Sequence, residues 1–350
     1  MVVVDDSLRA MSTPASPSIS WYHTPLPREE LRRLLQKSSR RAWLQTAGYL
    51  AVIVSTGILA VWVSRTQAWP WFIPAFFLHG TVMAFLINAV HELGHGTVFP
   101  QRWLNQWFCG LFAFLGWINH LKFQESHGRH HRYTLHYPHD QEVVSPDLKL
   151  WGHFIRHGFI NVDPLLNLFR FPWEAITGRM FAGSWNETCF PADNRDHRRR
   201  VVAWSRWIVG GHVAISAIAL SQGWWAVPLI VSLHGLCGSW LFWLCNNTQH
   251  SGLPGNTPDA RVCCRTFTAN PVVSFLYWHM NFHIEHHMYA AVPCYRLAEL
   301  HRAIRHDLPP TPHGLRAVWR EITACQAKML VKPATQSLRT AAIEPRSSPA

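Results

Sequence analysis

Histidine carries the chemistry of this 350-residue chain by number and by placement: there are 23, more than the 20 aspartates and glutamates together. Its imidazole titrates near neutral pH and is the commonest protein ligand for metals. Eight of them fall into three compact clusters. These are HELGH (His91, His95), HGRHH (His127, His130, His131) and HIEHH (His283, His286, His287). Spacings of three and four put side chains on one helical face, so each cluster can aim two or three imidazoles at a common point. A single histidine is usually a packed or solvated residue, but three clusters with ligand spacing argue for a metal site. Eight imidazoles exceed the four ligands of one zinc, so the count favours two metals. Imidazole suits iron, copper, zinc and nickel alike, and spacing does not choose among them.

The elements that must position these clusters are apolar. Hydrophobic residues make up 48% of the chain, which excludes disorder, and 19 Trp and 19 Phe crowd into uncharged stretches. Residues 42–63 and 69–90 are two uncharged runs of 22 residues, each long enough to cross about 30 Å of hydrocarbon as a helix. Between Trp207 and Pro258 there is again no charged side chain, and the polar Ser221–Gly223 divides this stretch into spans of about 207–221 and 224–246. The expected fold is therefore an all-α membrane protein, with four transmembrane helices in two hairpins and a histidine-rich di-metal cap with interfacial helices. Arg28, Arg32, Arg33, Lys37, Arg40 and Arg41 precede the first hairpin and Arg195–Arg200 the second, whereas the hairpin connections hold only Arg65. This asymmetry places both termini, the segment 91–206 and all three clusters on the cytoplasmic side of a multi-pass protein. The net charge of +12 then belongs to a bilayer surface rather than to nucleic acid.

Residues 103–121 are uncharged but carry Asn105, Gln106, Asn119 and His120, and read as an interfacial or re-entrant piece. Residues 154–172 read as a helix lying on the membrane surface. The domain plan is a cytoplasmic segment 1–41, a membrane domain 42–310 and a C-terminal tail 311–350, with 1–20 and 333–350 disordered. No apolar run near the N-terminus suits a cleaved signal, so the first span should direct insertion. His79, His212 and His234 lie inside spans and read as hydrogen-bonded packing residues. His120, His136, His139, Glu125, Asp140 and Glu285 are candidates to orient the metal-bound rings. His279 makes an alternative HxxxH with His283.

The order HxxxH, HxxHH, HxxHH, set between two apolar hairpins, resembles the membrane fatty acid desaturase and hydroxylase superfamily over roughly residues 40–310. The resemblance implies two irons held by the eight clustered histidines and molecular oxygen as co-substrate. NNTQH at 246–250 resembles an Asn-x3-His element of acyl desaturases, which implies His250 as a ninth ligand and Asn246 as a direct or water-bridged one. The implied reaction is desaturation of a fatty acyl or lipid-like chain, with hydroxylation on the same scaffold as the alternative outcome. The chain carries no His-Pro-Gly-Gly signature of a fused haem carrier. Electrons are then expected from a separate haem or ferredoxin-type donor and its reductase, docking on a basic face formed by Lys122, Arg129, Arg132 and 195–200. The host membrane would be the endoplasmic reticulum or a bacterial inner membrane.

Two rival readings follow from the same residues. HELGH also satisfies HExxH, the zinc-protease motif in which Glu92 would be the general base. That reading leaves two clusters unused, and the Asp-Gly pair expected of an intramembrane protease is absent. A metal transporter should place its ligands near the bilayer midplane, whereas these clusters lie beyond the span ends.

Overall fold

A computed structural model describes residues 18–143, 151–161 and 163–331. Of the disorder expected at 1–20 and 333–350, residues 1–17 and 333–350 lie outside the described residues. Among the described residues seventeen α-helices follow in chain order. They are α1 (Arg28–Leu35), α2 (Ser39–Thr66), α3 (Trp69–Met83), α4 (Leu86–Gly94), α5 (Arg102–Leu115), α6 (His120–Tyr133), α7 (Trp151–Gly158), α8 (Asp163–Thr177) and α9 (Ser184–Cys189). The second half holds α10 (Arg195–Ser221), α11 (Ala226–Ser232), α12 (Trp240–Asn246), α13 (Ala260–Cys263), α14 (Pro271–Leu276), α15 (His283–Met288), α16 (Leu297–Ile304) and α17 (Gly314–Val331). Among the described residues the only β-type pairing is isolated bridges. Part of the expected C-terminal tail is thus the helix α17.

Among the described residues three helical stretches are long and apolar enough to cross a membrane: Ser39–Thr66, Trp69–Gly94 and Arg195–Ser221. Ser38 starts the first by accepting a hydrogen bond from the Arg41 N–H. The second is the central one, being 61% buried over its most apolar window, against 28% for each of the other two. Leu44, Ile58 and Trp62 on α2, and Trp207, Val213 and Ile218 on α10, are exposed, as they would be on helices facing lipid. The two chain reversals meet at one end of the molecule, where Arg65 donates to the Gly223 carbonyl at 3.4 Å and lies 5.7 Å over the Trp224 ring.

The fourth expected span differs from expectation. Residues 226–246 form two seven-residue helices, α11 and α12, separated by a 3-10 turn at His234–Leu236 and by Gly238 at φ +85°. The break has a packing cause. A Cβ on Gly238 would lie 2.5 Å from the Phe77 carbonyl oxygen and 2.6 Å from the Thr81 nitrogen, so the backbone presses directly on α3. The polar groups freed by the break are met from the stretch expected to lie on the surface. That stretch is two helices rather than one, and the chain between α7 and α8 enters the gap. There the Asn161 N–H donates to the Leu236 carbonyl at 2.8 Å, and Ile160 pairs with Cys237. The piece expected at 103–121 is the 14-residue α5, about 21 Å long and too short to cross.

The main core runs between α2, α4, α5 and the segment leading into α15. Tyr49, Phe85, Phe112 and Trp278 are fully buried, and Tyr49 donates its hydroxyl to the Val82 carbonyl at 2.8 Å. These contacts hold the start of α4 and the segment that enters α15, two of the three elements that carry the histidine clusters.

Candidate metal centre

Each cluster sits on an element whose boundary is set locally. α4 ends at Gly94, and Gly96 follows at φ +69°, so His91 occupies its last turn and His95 is its C-cap. Asn119 caps α6 by accepting from the Lys122 N–H, which sets the phase of His127, His130 and His131. The six-residue α15 is entered through Trp278 and His279, both left-handed, at φ 51° and 59°. Two successive non-glycine residues in that region are strained, and the full burial of Trp278 among aromatic rings holds them there.

The structure brings nine histidines together in two groups. One holds His91, His95, His127, His131 and His286; the other holds His130, His250, His283 and His287. Within each group one ring nitrogen per residue lies within 4.8 Å of all the others. The clusters therefore interleave, with α6 and α15 each contributing to both groups. Asn246 is the last residue of α12, half-buried, four positions before His250, and its backbone carbonyl accepts from the Gln249 N–H.

Proton bookkeeping on the rings shows which nitrogens are free to bind a metal. Nδ1 of His91 lies 2.8 Å from Glu92, that of His127 2.8 Å from Glu142, and that of His130 2.8 Å from Asp140. Nδ1 of His250 lies 2.8 Å from the Cys263 carbonyl. A carbonyl or an ionised carboxylate only accepts, so facing such a partner each of these nitrogens carries the proton and leaves Nε2 with a lone pair. His287 behaves in the same way. The Thr134 hydroxyl gives its proton to the His130 carbonyl at 2.7 Å and must accept from Nδ1 of His287 at 3.1 Å.

The residues fit a metal pair. The Nε2 atoms of His95, His127 and His287 are buried without a hydrogen-bond partner, an arrangement that is costly unless a cation satisfies them. Across the clusters, Nε2 of His283 faces Nε2 of His250 at 2.9 Å, and Nε2 of His286 faces that of His131 at 3.0 Å. With metal–nitrogen bonds of about 2.1 Å, two adjacent ligands at right angles lie about 3 Å apart. Burial pushes the imidazoles of His127, His131, His283, His286 and His287 well below their ordinary pKa, and His95 to about 4 and His250 to about 3. They are neutral at pH 7, as ligands must be. Burial opposes the charged form of His130 most strongly of any single cause, but its bond to Asp140 and the nearby charges of Glu142 and Asp140 together outweigh this and raise it.

Of the candidate orienting residues, Asp140 fills that role, also accepting from the Leu135 and Glu142 N–H groups at 2.9 Å. Glu125 pairs with Arg129, and Glu285 with His301 and Thr266, away from the metal-facing nitrogens. His136 bonds backbone carbonyls, His120 packs on Trp204, His139 lies beside Tyr133, and His279 is bonded to Ser274. Sequence reasoning missed Glu142 entirely and read Glu92 only as a protease base. Glu92 is buried, bonds His91 and lies 3.6 Å from Nδ1 of His286, tying the first cluster to the third. His79, His212 and His234 make hydrogen bonds between helices, as expected.

The expected basic face is partly committed internally. Lys122 is paired with the buried Glu174, Arg129 donates to the Thr188 carbonyl, and Arg198 donates to that of Phe190. Arg132, Arg195 and Arg200 remain exposed.

Comparison with known proteins gives the family. The chain is 23% identical over 246 residues to an acyl-lipid (8-3)-desaturase of Thraustochytrium sp., covering 63% of this chain but only 54% of that protein. It is 23% identical over 290 residues to a Delta(12) acyl-lipid conjugase (11E,13E-forming) of Impatiens balsamina, covering 75% of this chain and 73% of the relative. An sn-1 oleoyl-lipid 12-desaturase of Picosynechococcus sp. is 22% identical over 289 residues, covering 79% and 80%. Residues 67–319, well over half of the chain, match the profile of the family described as fatty acid desaturase. The chain belongs to the fatty acid desaturase family.

Proposed function

We propose that this chain catalyses oxygen-dependent desaturation of an acyl chain carried on a lipid, at two irons. The ligands are His91, His95, His127, His131 and His286 for one metal, and His130, His250, His283 and His287 for the other. Asn246 approaches the second, directly or through water. The observation that carries this reading is the gathering of nine histidines from four separate segments into two groups of five and four. All three relatives have names that specify an acyl or oleoyl lipid, which favours a lipid-borne chain over a free acid.

The bond to be broken is an unactivated C–H, beyond the reach of a general base or a nicotinamide; bound irons supply the oxygen chemistry that it requires. The protein's own residues fix the ring tautomers and directions through Glu92, Asp140, Glu142, Thr134 and the Cys263 carbonyl. Burial of the rings keeps water from competing for the metals. Electrons come from a separate donor, for which exposed Arg132, Arg195 and Arg200 offer a cationic docking face. The site lies on the cytoplasmic side, at the end of the molecule away from the Arg65–Gly223 contact.

The test is lipid profiling of cells with and without the chain, combined with metal analysis of the purified protein. About two irons per chain and new double bonds in membrane acyl chains, both lost in His127→Ala, are expected. One zinc per chain with cleavage of a membrane peptide would instead support the HExxH reading.

A further inference from the structure

An extended segment before α1, Trp21–Leu26, belongs to no motif and is absent from the reading of the site above. It crosses the ends of the two helices that feed both metal groups. Trp21 Nε1 donates to the carbonyl of Arg132, the residue after His131, at 3.0 Å. Thr24 is fully buried; its N–H points to the sulfur of Met288, the residue after His287, at 3.3 Å. Its carbonyl accepts from the Tyr289 hydroxyl at 2.6 Å. One carboxylate anchors the strap, since Tyr22 Oη and Thr24 Oγ1 each donate to Oδ2 of Asp307 at 2.7 Å. Oδ1 of Asp307 takes Arg261, whose guanidinium lies 3.8 Å over the Tyr22 ring.

The placement matters because of which of the nine residues are least covered. Only His95, His131 and His287 among them are half-buried rather than buried, although the Nε2 atoms of His95 and His287 are themselves covered. Two of these three immediately precede residues that the strap holds. α15 is a helix of six residues whose C-terminal end is closed within the helix by one backbone bond, from the Tyr289 N–H to the Glu285 carbonyl at 2.9 Å, and α6 ends at Tyr133 just beyond Arg132. An extended segment with no ladder of its own is ordered only by such contacts.

We infer that Trp21–Leu26 is a strap that closes the metal centre, with Thr24 as a positioning residue acting through Asp307, Met288 and Tyr289. By holding the end of α6 against the end of α15 it keeps His131 and His287 in register across the two groups and shields the edge through which metal enters and leaves. This rests on the reading of the nine histidines as metal ligands.

The test follows release of metal from the purified full-length protein to an excess of a coloured iron chelator. Thr24→Val removes the hydroxyl at nearly constant shape, and Thr24→Ser keeps it. Trp21→Phe removes the donor to Arg132 while retaining an aromatic ring. Release about tenfold faster in Thr24→Val and Trp21→Phe, with metal stoichiometry unchanged and Thr24→Ser like wild type, is the expected result. Should Thr24→Val fail to fold, Trp21→Phe and Thr24→Ser still decide the matter. Release at the wild-type rate in Trp21→Phe, or equally fast release in Thr24→Ser and Thr24→Val, overturns the strap while leaving the ligand reading intact. A wild-type protein that binds no metal overturns both.

Discussion

At the scale of single residues, the centre is built by pairing each ring with a partner that takes its other proton. His250 is the sharpest case. Its Nδ1–H donates to the Cys263 carbonyl and its Nε2 faces that of His283 at 2.9 Å, so replacing it leaves the second group with three imidazoles. His250→Ala should lower bound metal per folded chain as well as activity, whereas a packing role alone would leave metal content unchanged. Asn246→Ala should be milder, because water can occupy the place of an indirect ligand. Glu142→Ala should weaken metal binding about 10–100-fold without loss of folding, since its carboxylate holds only His127 and the neighbouring Ser126 hydroxyl; metal titration of the purified variant reads this directly. The eight clustered histidines were legible because helical period and ligand spacing coincide. Glu142 was not, because it reaches His127 from 15 residues downstream after the chain has turned back, and no periodicity encodes such a return.

At the scale of elements, hydropathy located the apolar stretches but not the points at which backbone replaces side chain as the packing surface. The run from Trp207 to Pro258 reads as two spans because it lacks charge. Its second half nevertheless breaks where Gly238 meets α3 and where Asn161 answers the Leu236 carbonyl. The sequence holds a glycine there, yet a glycine in an apolar run reads equally well as helix packing. Gly238→Ala should therefore be severe. It sets a Cβ within 2.6 Å of two backbone atoms of α3 and forces a side chain onto φ +85°, with an expected loss of more than about 2 kcal/mol. Gly210, which has open space around its Cβ position within the helix α10, is the control, and Gly210→Ala should be neutral or slightly stabilising. Thermal unfolding of both variants in the same detergent makes the comparison, and equal stability would show that the approach of Gly238 to α3 does not hold the break in place.

At the scale of the whole molecule, orientation follows from charge and can be checked against contact. The arginines before α2 and within the first turns of α10 lie at one end, while Arg65 and Trp224 meet at the other. Exposed Trp62, Trp69, Trp71, Trp224 and Trp225 gather around those chain reversals, and exposed Trp43 lies toward the opposite end of α2, with exposed Trp103 and Trp107 on α5, whose Phe108 packs against Trp43. Two such girdles are what a bilayer of about 30 Å selects, since indole prefers the interface to either phase. Single cysteines placed near residues 67 and 222 should accordingly be labelled by an impermeant maleimide from the far side. Those near residues 30, 197 and 320 should be labelled only after the membrane is opened. The position near 197 is the most informative. It sits at the start of the helix that carries the basic cluster, on the chain that continues from α6, so its side also fixes the side of His127, His130 and His131. Labelling at 197 from the same side as at 67 would place α10 the other way up and separate the second cluster from the first and third, which a centre built from all three does not permit.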